Sequence, residues 1–249
     1  MEDIIFGKNS VLEALCAGRE INKIIISKNN HVDNKLNHII ELAKQNGIVF
    51  QFVAKEKFAQ YQEFNHQGVI AYVSPIKYME LDEFLARKHE NASVVILDGV
   101  EDPHNLGSII RTCVCAGVSG IIIPSRRNVQ VNSIVEKTSA GAVNHIPIIK
   151  VNSPVNAVQK LKDTGWWVIA ADACAKDNYY DVNYNDMNFA LIMGAEHAGV
   201  SKSLLKMSDF IVKIPMLNNF NSLNVSNALC VIIFETMRQK IKESKWQKT

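Results

Sequence analysis

Apolar and polar positions fall into short blocks along most of the chain, and the blocks switch between two periods. Residues 21–27, 48–53 and 69–73 are brief apolar runs bounded by polar residues, the pattern of strands. Between the first two, Leu36, Ile39, Ile40 and Ala43 recur at helical spacing across 32–45, and Gly47 supplies a stop. Val11, Leu12 and Leu15 make a similar stripe within 4–17, behind a short lead-in, with Asn9 or Ser10 as the expected cap. Residues 55–61 read as a short helix, and His66-Gln67-Gly68 as a turn ahead of the next strand. The pattern predicts a small alternating α/β unit over residues 1–74. Residues 75–91 bring a proline, charges and one short amphipathic piece, and read as a linker containing a helical turn or two.

A second α/β domain is expected over 92–249. Strands are predicted at 94–97, 120–123, 167–171, 190–193 and 211–214, and helices over 108–116, 133–141, 155–162 and 202–207. Strands alternating with helices imply a mostly parallel sheet with crossover helices. Three polar loops, 98–107, 194–199 and 215–224, follow three of the strands. Open α/β sheets bind ligands at such strand ends. The last loop lies in 211–234, where Asn218, Asn219, Asn221, Asn224 and Asn227 and two serines sit between apolar runs. Asn and Ser favour turns and caps, so a helix capped near Ser222 is expected. Its stretch 228–234 is apolar on all sides, as for a helix buried in its own core and against a partner.

The first loop has neither G-x-G-x-x-G nor G-x-x-x-x-G-K-[ST], which disfavours a dinucleotide fold and a P-loop. Arg111 follows Asn105 by six residues, among Ile109, Ile110 and Val114. An arginine there is costly without an anionic partner. Two readings stay open: a structural pair with Asp98 or Asp102, or a guanidinium aimed into the loop pocket to meet a phosphate or hydroxyl. Gly194 would let a ligand approach the backbone, and Glu196 could accept hydrogen bonds from a neighbouring loop.

Composition narrows the classes. The chain has 249 residues, 47% apolar and 21% charged, ordinary for a globular protein. No apolar run approaches the ~20 residues that cross a bilayer, and the start MEDIIFGKNS lacks the features of a signal peptide. Five cysteines without a C-x-x-C pair point to reduced thiols in a cytoplasm. The seven histidines show no metal-ligand spacing, so no metal is expected. A net charge of +2 is too mild to announce a nucleic-acid partner by itself.

Side by side, LDGVEDPHNLGSIIRTCVCAGV, LIMGAEHAGV and IPMLNNFNSLNVSNA resemble the signature motifs of the SpoU (TrmH-type) branch of the SPOUT methyltransferases, which methylate RNA ribose 2′-hydroxyls. KTSAGAVNHIPI between the first two is similar to a further family stretch. IIFGKNSVLEAL and HQGVIAYVSP resemble the ribosomal-protein-like domain that binds RNA in many members. The resemblance covers nearly the whole chain. It implies a C-terminal domain with a deep trefoil knot, S-adenosyl-L-methionine as cofactor, and a homodimer. By motif position, Gly194, Ile214 and Leu223, with Met193 and Met216, would line the cofactor pocket. Asn105, Arg111, Glu196, Ser222 and Asn224 fall on the polar active-site positions. His197, Asn218, Phe220 and Asn221 depart from the small residues common in the family.

The domain layout is most similar to enzymes that methylate a guanosine ribose in large-subunit (23S) ribosomal RNA. A tRNA guanosine enzyme, a relative that methylates an adenosine to give antibiotic resistance, and a non-catalytic RNA-binding protein of the same fold are the alternatives. The four polar residues Asn105, Arg111, Glu196 and Asn224 weigh against the last.

Overall fold

A computed structural model describes residues 3–62, 64–196, 198–217 and 222–241. In chain order these form β1 (Asp3–Phe6), α1 (Lys8–Cys16), β2 (Ile21–Ser27), α2 (Asn34–Gln45), β3 (Val49–Val53), a 3₁₀ turn (Lys55–Tyr61), β4 (Val69–Val73) and α3 (Leu81–Leu85). Then come β5 (Ser93–Asp98), α4 (Pro103–Cys115), β6 (Gly120–Pro124), α5 (Ser133–Thr138), a second 3₁₀ turn (Ala142–His145), β7 (Ile148–Val151) and α6 (Pro154–Asp163). The last are β8 (Trp167–Ala171), β9 (Asp177–Asn178), β10 (Phe189–Gly194), α7 (Lys202–Met207), β11 (Phe210–Lys213) and α8 (Val225–Lys240).

Two compact units result: Met1–Lys77 with Val131–His145, and Tyr78–Gln130 with Ile146–Thr249. In the first, a four-stranded sheet of order β1-β4-β2-β3 carries α1 and α2 on an apolar layer that includes Ile24, Ile26, Leu36 and Ile39. The lead-in residues are a strand because Ile4–Phe6 pair antiparallel with β4. The expected cap at Asn9 or Ser10 is thereby corrected. Helix α1 begins at Lys8, and Gly7 caps it at φ 94°, a conformation that favours glycine.

Helix α5 also packs in the first unit, although it lies in the middle of the segment expected to form the second domain. Arg19 holds it there, donating to both Glu136 carboxylate oxygens at 2.6 and 2.7 Å and to the Ser74 carbonyl at 2.9 Å. Burial pushes the Glu136 carboxyl up from its ordinary range, opposed by the Arg19 charge. A sequence pattern reads local period, and a partner 117 residues away leaves no trace in it.

In the second unit seven strands are all paired in parallel, in the order β7-β6-β5-β10-β8-β11-β9. The middle strands are buried on both faces, which accounts for their unbroken apolar runs. From β5 the chain winds outward through β6 and β7, then crosses to β8, and β10 later fills the gap beside β5. The carboxyl ends of β5 and β10 thus lie side by side, with Gly194 opposite Asp98, where the winding reverses. That is the usual ligand position of an open parallel sheet.

Two local expectations are corrected. Helix α4 starts at Pro103, not at 108, because Asp102 accepts from the His104 backbone N–H and Pro103 has the fixed φ suited to a first helical position. Arg111 therefore sits in the third turn of the helix. The 75–91 stretch contains α3, the helical turn or two expected there, and its Leu81 and Phe84 are buried in the second unit's core. The cap of α8 is Asn224, not Ser222. Strands β7 and β9, at four and two residues, are additions that no periodicity marks.

Candidate active site

The loops after β8, β10 and β11 and the start of α8 enclose a cavity of 340 Å³. Gly194, Ile214, Leu223, Met193 and Met216 all line it, as do Glu196 and Ser222. Gly194 explains how the wall is built. A Cβ there would fall 2.1 Å from the Gly199 carbonyl carbon and 2.2 Å from the Val200 nitrogen. The end of β10 is pressed against the returning loop backbone, and the Ala195–Gly199 backbone hydrogen bonds at 3.1 and 2.9 Å close that loop. The result is a wall of peptide groups beside apolar Ile214, Leu223 and Ile232, with carboxylates at Asp172 and Glu196.

Such a site fits S-adenosylmethionine. The size is that of a small-molecule pocket, peptide groups can bond a flat purine edge, apolar walls can cover its faces, and carboxylates complement a cation. Asp172 was not among the residues singled out from sequence. Its signal was the strand end after β8, the same rule that marked the three polar loops.

Asn224 links the cap of α8 to α4. Its Oδ1 accepts from the Ser226 backbone N–H at 2.9 Å and from Ser226 Oγ at 2.6 Å. Its Nδ2 donates to Asn105 Oδ1 at 2.9 Å. Asn105 is buried in the first turn of α4, so the two asparagines fix each other at the entrance to the loops. Ser222 is exposed at the cavity's edge. Arg111 joins neither asparagine. It lies on the outward stripe of α4, exposed, and forms no ion pair among the described residues. The structural pairing with Asp98 or Asp102 is therefore not made. Asp98 Oδ2 accepts instead from the Ser201 N–H at 2.8 Å, and Asp102 caps α4.

A second cavity, 480 Å³, abuts the first and shares Ala195, Glu196, Ala198, Gly199 and Val225 with it. Asn105 and Arg127 line this cavity and not the first. Glu196 faces both. His197, Asn218, Asn219, Phe220 and Asn221 lie outside the described residues. No group of three or more His, Cys, Asp and Glu could hold a metal ion among the described residues, and none of their helices is long and apolar enough to cross a membrane. All five cysteines are free thiols.

Comparison with known proteins accords with this geometry. Residues 92–234 match the model of the SpoU rRNA methylase family, and residues 4–79 match that of the RNA 2′-O ribose methyltransferase substrate-binding domain. A Staphylococcus aureus chain assigned to the TrmH family of tRNA/rRNA methyltransferases is 40% identical over 244 residues, covering 96% of this chain and 98% of that one. The AdoMet-bound rRNA methyltransferase of Sinorhizobium meliloti superposes with a TM-score of 0.82 at 25% identity, over 97% of this chain and 88% of its own. The SpoU methyltransferase AviRb of Streptomyces viridochromogenes shares the fold, with a TM-score of 0.82 at 22% identity over 96% and 90%. The chain belongs to the SpoU family, as an RNA methyltransferase that uses S-adenosylmethionine.

Proposed function

We propose that the chain methylates a ribose 2′-hydroxyl of RNA, with a guanosine of 23S ribosomal RNA as the favoured target, and works as a cytoplasmic homodimer. The observation that carries the reaction is the pair of abutting cavities sharing Glu196, one fitted to the cofactor and one open to α4. The match of residues 4–79 to a 2′-O ribose methyltransferase substrate domain supports the hydroxyl as acceptor. The likeness to a solved rRNA methyltransferase through both units supports ribosomal over transfer RNA. Reduced thiols are consistent with a cytoplasmic site of action. For the dimer, α8 offers an outward stripe of Cys230, Val231 and Phe234, apolar where a lone chain would place polar residues. The family's deep trefoil knot belongs to the same proposal.

The bound cofactor supplies an electrophilic methyl on a sulfonium. What the chain must do is align the ribose oxygen with it and help the hydroxyl proton leave. Arg111 lines neither cavity and makes no ion pair among the described residues, so its role rests on its motif position: its five N–H donors would orient the hydroxyl and stabilise negative charge growing on its oxygen. A guanidinium stays protonated, so Arg111 positions and stabilises and does not take up the proton itself. The Asn105–Asn224 bond holds the ends of α4 and α8 that frame the entrance. Glu196, facing both cavities, sets the loop between cofactor and acceptor.

The test is methyl incorporation into unmodified 23S RNA transcript. Arg111→Ala is expected to abolish transfer while leaving thermal unfolding and cofactor affinity by calorimetry unchanged. Near-normal transfer by that variant would remove Arg111 from the mechanism. Absence of transfer by the wild-type chain to 23S transcript, with transfer to tRNA transcripts, would move the target to transfer RNA.

A further inference from the structure

A ribose 2′-hydroxyl never arrives alone. The carbon next to it carries the 3′-phosphate, so any RNA that offers its 2′-oxygen to the shared edge of the two cavities brings an anion within a few ångströms. The walls awaiting that anion are acidic: Asp98, Glu101, Asp102 and Glu196 line the second cavity. Arg127 is its one cationic side chain among the described lining residues. We propose that Arg127 binds the backbone phosphate beside the target ribose and so positions the nucleotide for transfer. This rests on the RNA-methylating reading above.

Three features of Arg127 point this way. It pairs with none of the carboxylates around it and is exposed, so its fork of donors is available to a ligand. Its backbone is at φ 56°, a left-handed conformation that arginine rarely adopts and that glycine would take without strain. Residues held this way cluster at functional sites, where their surroundings enforce the geometry. Here the enforcing contacts come from the next residues. Buried Asn128 accepts the Val100 N–H on its Oδ1 at 2.8 Å, Val129 donates to the Val100 carbonyl at 2.9 Å, and Gln130 Nε2 donates to the Pro124 carbonyl at 3.1 Å. The loop after β6 is thus stitched to the loop after β5, and the stitching presents Arg127 at the cavity. Asp98 and Asp102 already accept backbone N–H groups, which leaves Glu101 and Glu196 as the carboxylates a phosphate would meet if Arg127 were gone.

The decisive variant is Arg127→Gly, which removes the guanidinium and relaxes the backbone, so loss of function cannot be put down to misfolding; Arg127→Lys keeps the charge. Methyl transfer and filter binding are measured on unmodified 23S and tRNA transcripts across a salt series. Arg127→Gly should raise the RNA KM about tenfold, the scale of one lost charge-assisted contact, with kcat within about twofold. The slope of log affinity against log salt should become shallower by about 0.7–0.9, the share of one phosphate, and Arg127→Lys should restore most of both. An unchanged KM and salt slope in Arg127→Gly would overturn the proposal. A loss confined to S-adenosylmethionine affinity would also overturn it, by assigning the guanidinium to the cofactor's carboxylate. If the wild-type chain transfers no methyl, the proposed activity fails, while the salt slope of RNA binding still decides the role of Arg127.

Discussion

Asn224 does two things with one side chain. Its oxygen satisfies N–H and hydroxyl donors at the start of α8, and its nitrogen reaches across to Asn105 on α4. These jobs can be separated. Asn224→Ala removes both and should cost about 1 kcal/mol of stability, the usual worth of an N-cap, together with most methyl transfer. Asn224→Ser keeps a capping oxygen but is too short to bridge, so it should recover the stability and not the activity. Thermal unfolding beside a transfer assay distinguishes the cases. Recovery of both by serine would mean that the bridge to Asn105 is idle.

At the scale of elements, the cavity depends on how closely the end of β10 meets the loop that returns past it. Gly194→Ala would put a methyl group 2.1 Å from backbone carbon, and backbone cannot give way as a flexible side chain can. We expect this variant to lose cofactor binding by calorimetry, along with about 1–3 kcal/mol of stability. Unchanged cofactor affinity would show that the close approach is incidental to the pocket. The sequence marks Gly194 as a glycine after a strand and by its place in a family motif, and neither reveals the close backbone approach. The buried strands were legible for a related reason: parallel strands covered on both faces are apolar without interruption. The start of α4 was harder to read. Asp-Pro-His-Asn looks like loop chemistry, and the cap at Asp102 with Pro103 behind it turns those polar residues into the first turn of a helix. Arg127 had no local signal at all, because its interest lies in a backbone angle and a neighbouring loop.

For the whole molecule, the proposed dimer is the feature on which the apolar stripe of α8 depends. Phe234 and Val231 are each 37% exposed, and Phe234→Glu should give a monomer by light scattering with its secondary structure intact. A wild-type chain that is monomeric at micromolar concentration would remove the dimer from the proposal. Assembly of the units is the part of the fold that sequence conveyed least, since α5 leaves its sequence neighbours to pair through Glu136 with Arg19. The central claim, methyl transfer to a ribose hydroxyl of RNA, is tested most directly by mapping 2′-O-methyl groups across total RNA from cells with and without the gene. The proposed activity predicts that deletion removes a 2′-O-methyl from 23S ribosomal RNA, and that the wild-type chain restores it while Arg111→Ala does not. A methylation map unchanged by deletion would contradict it.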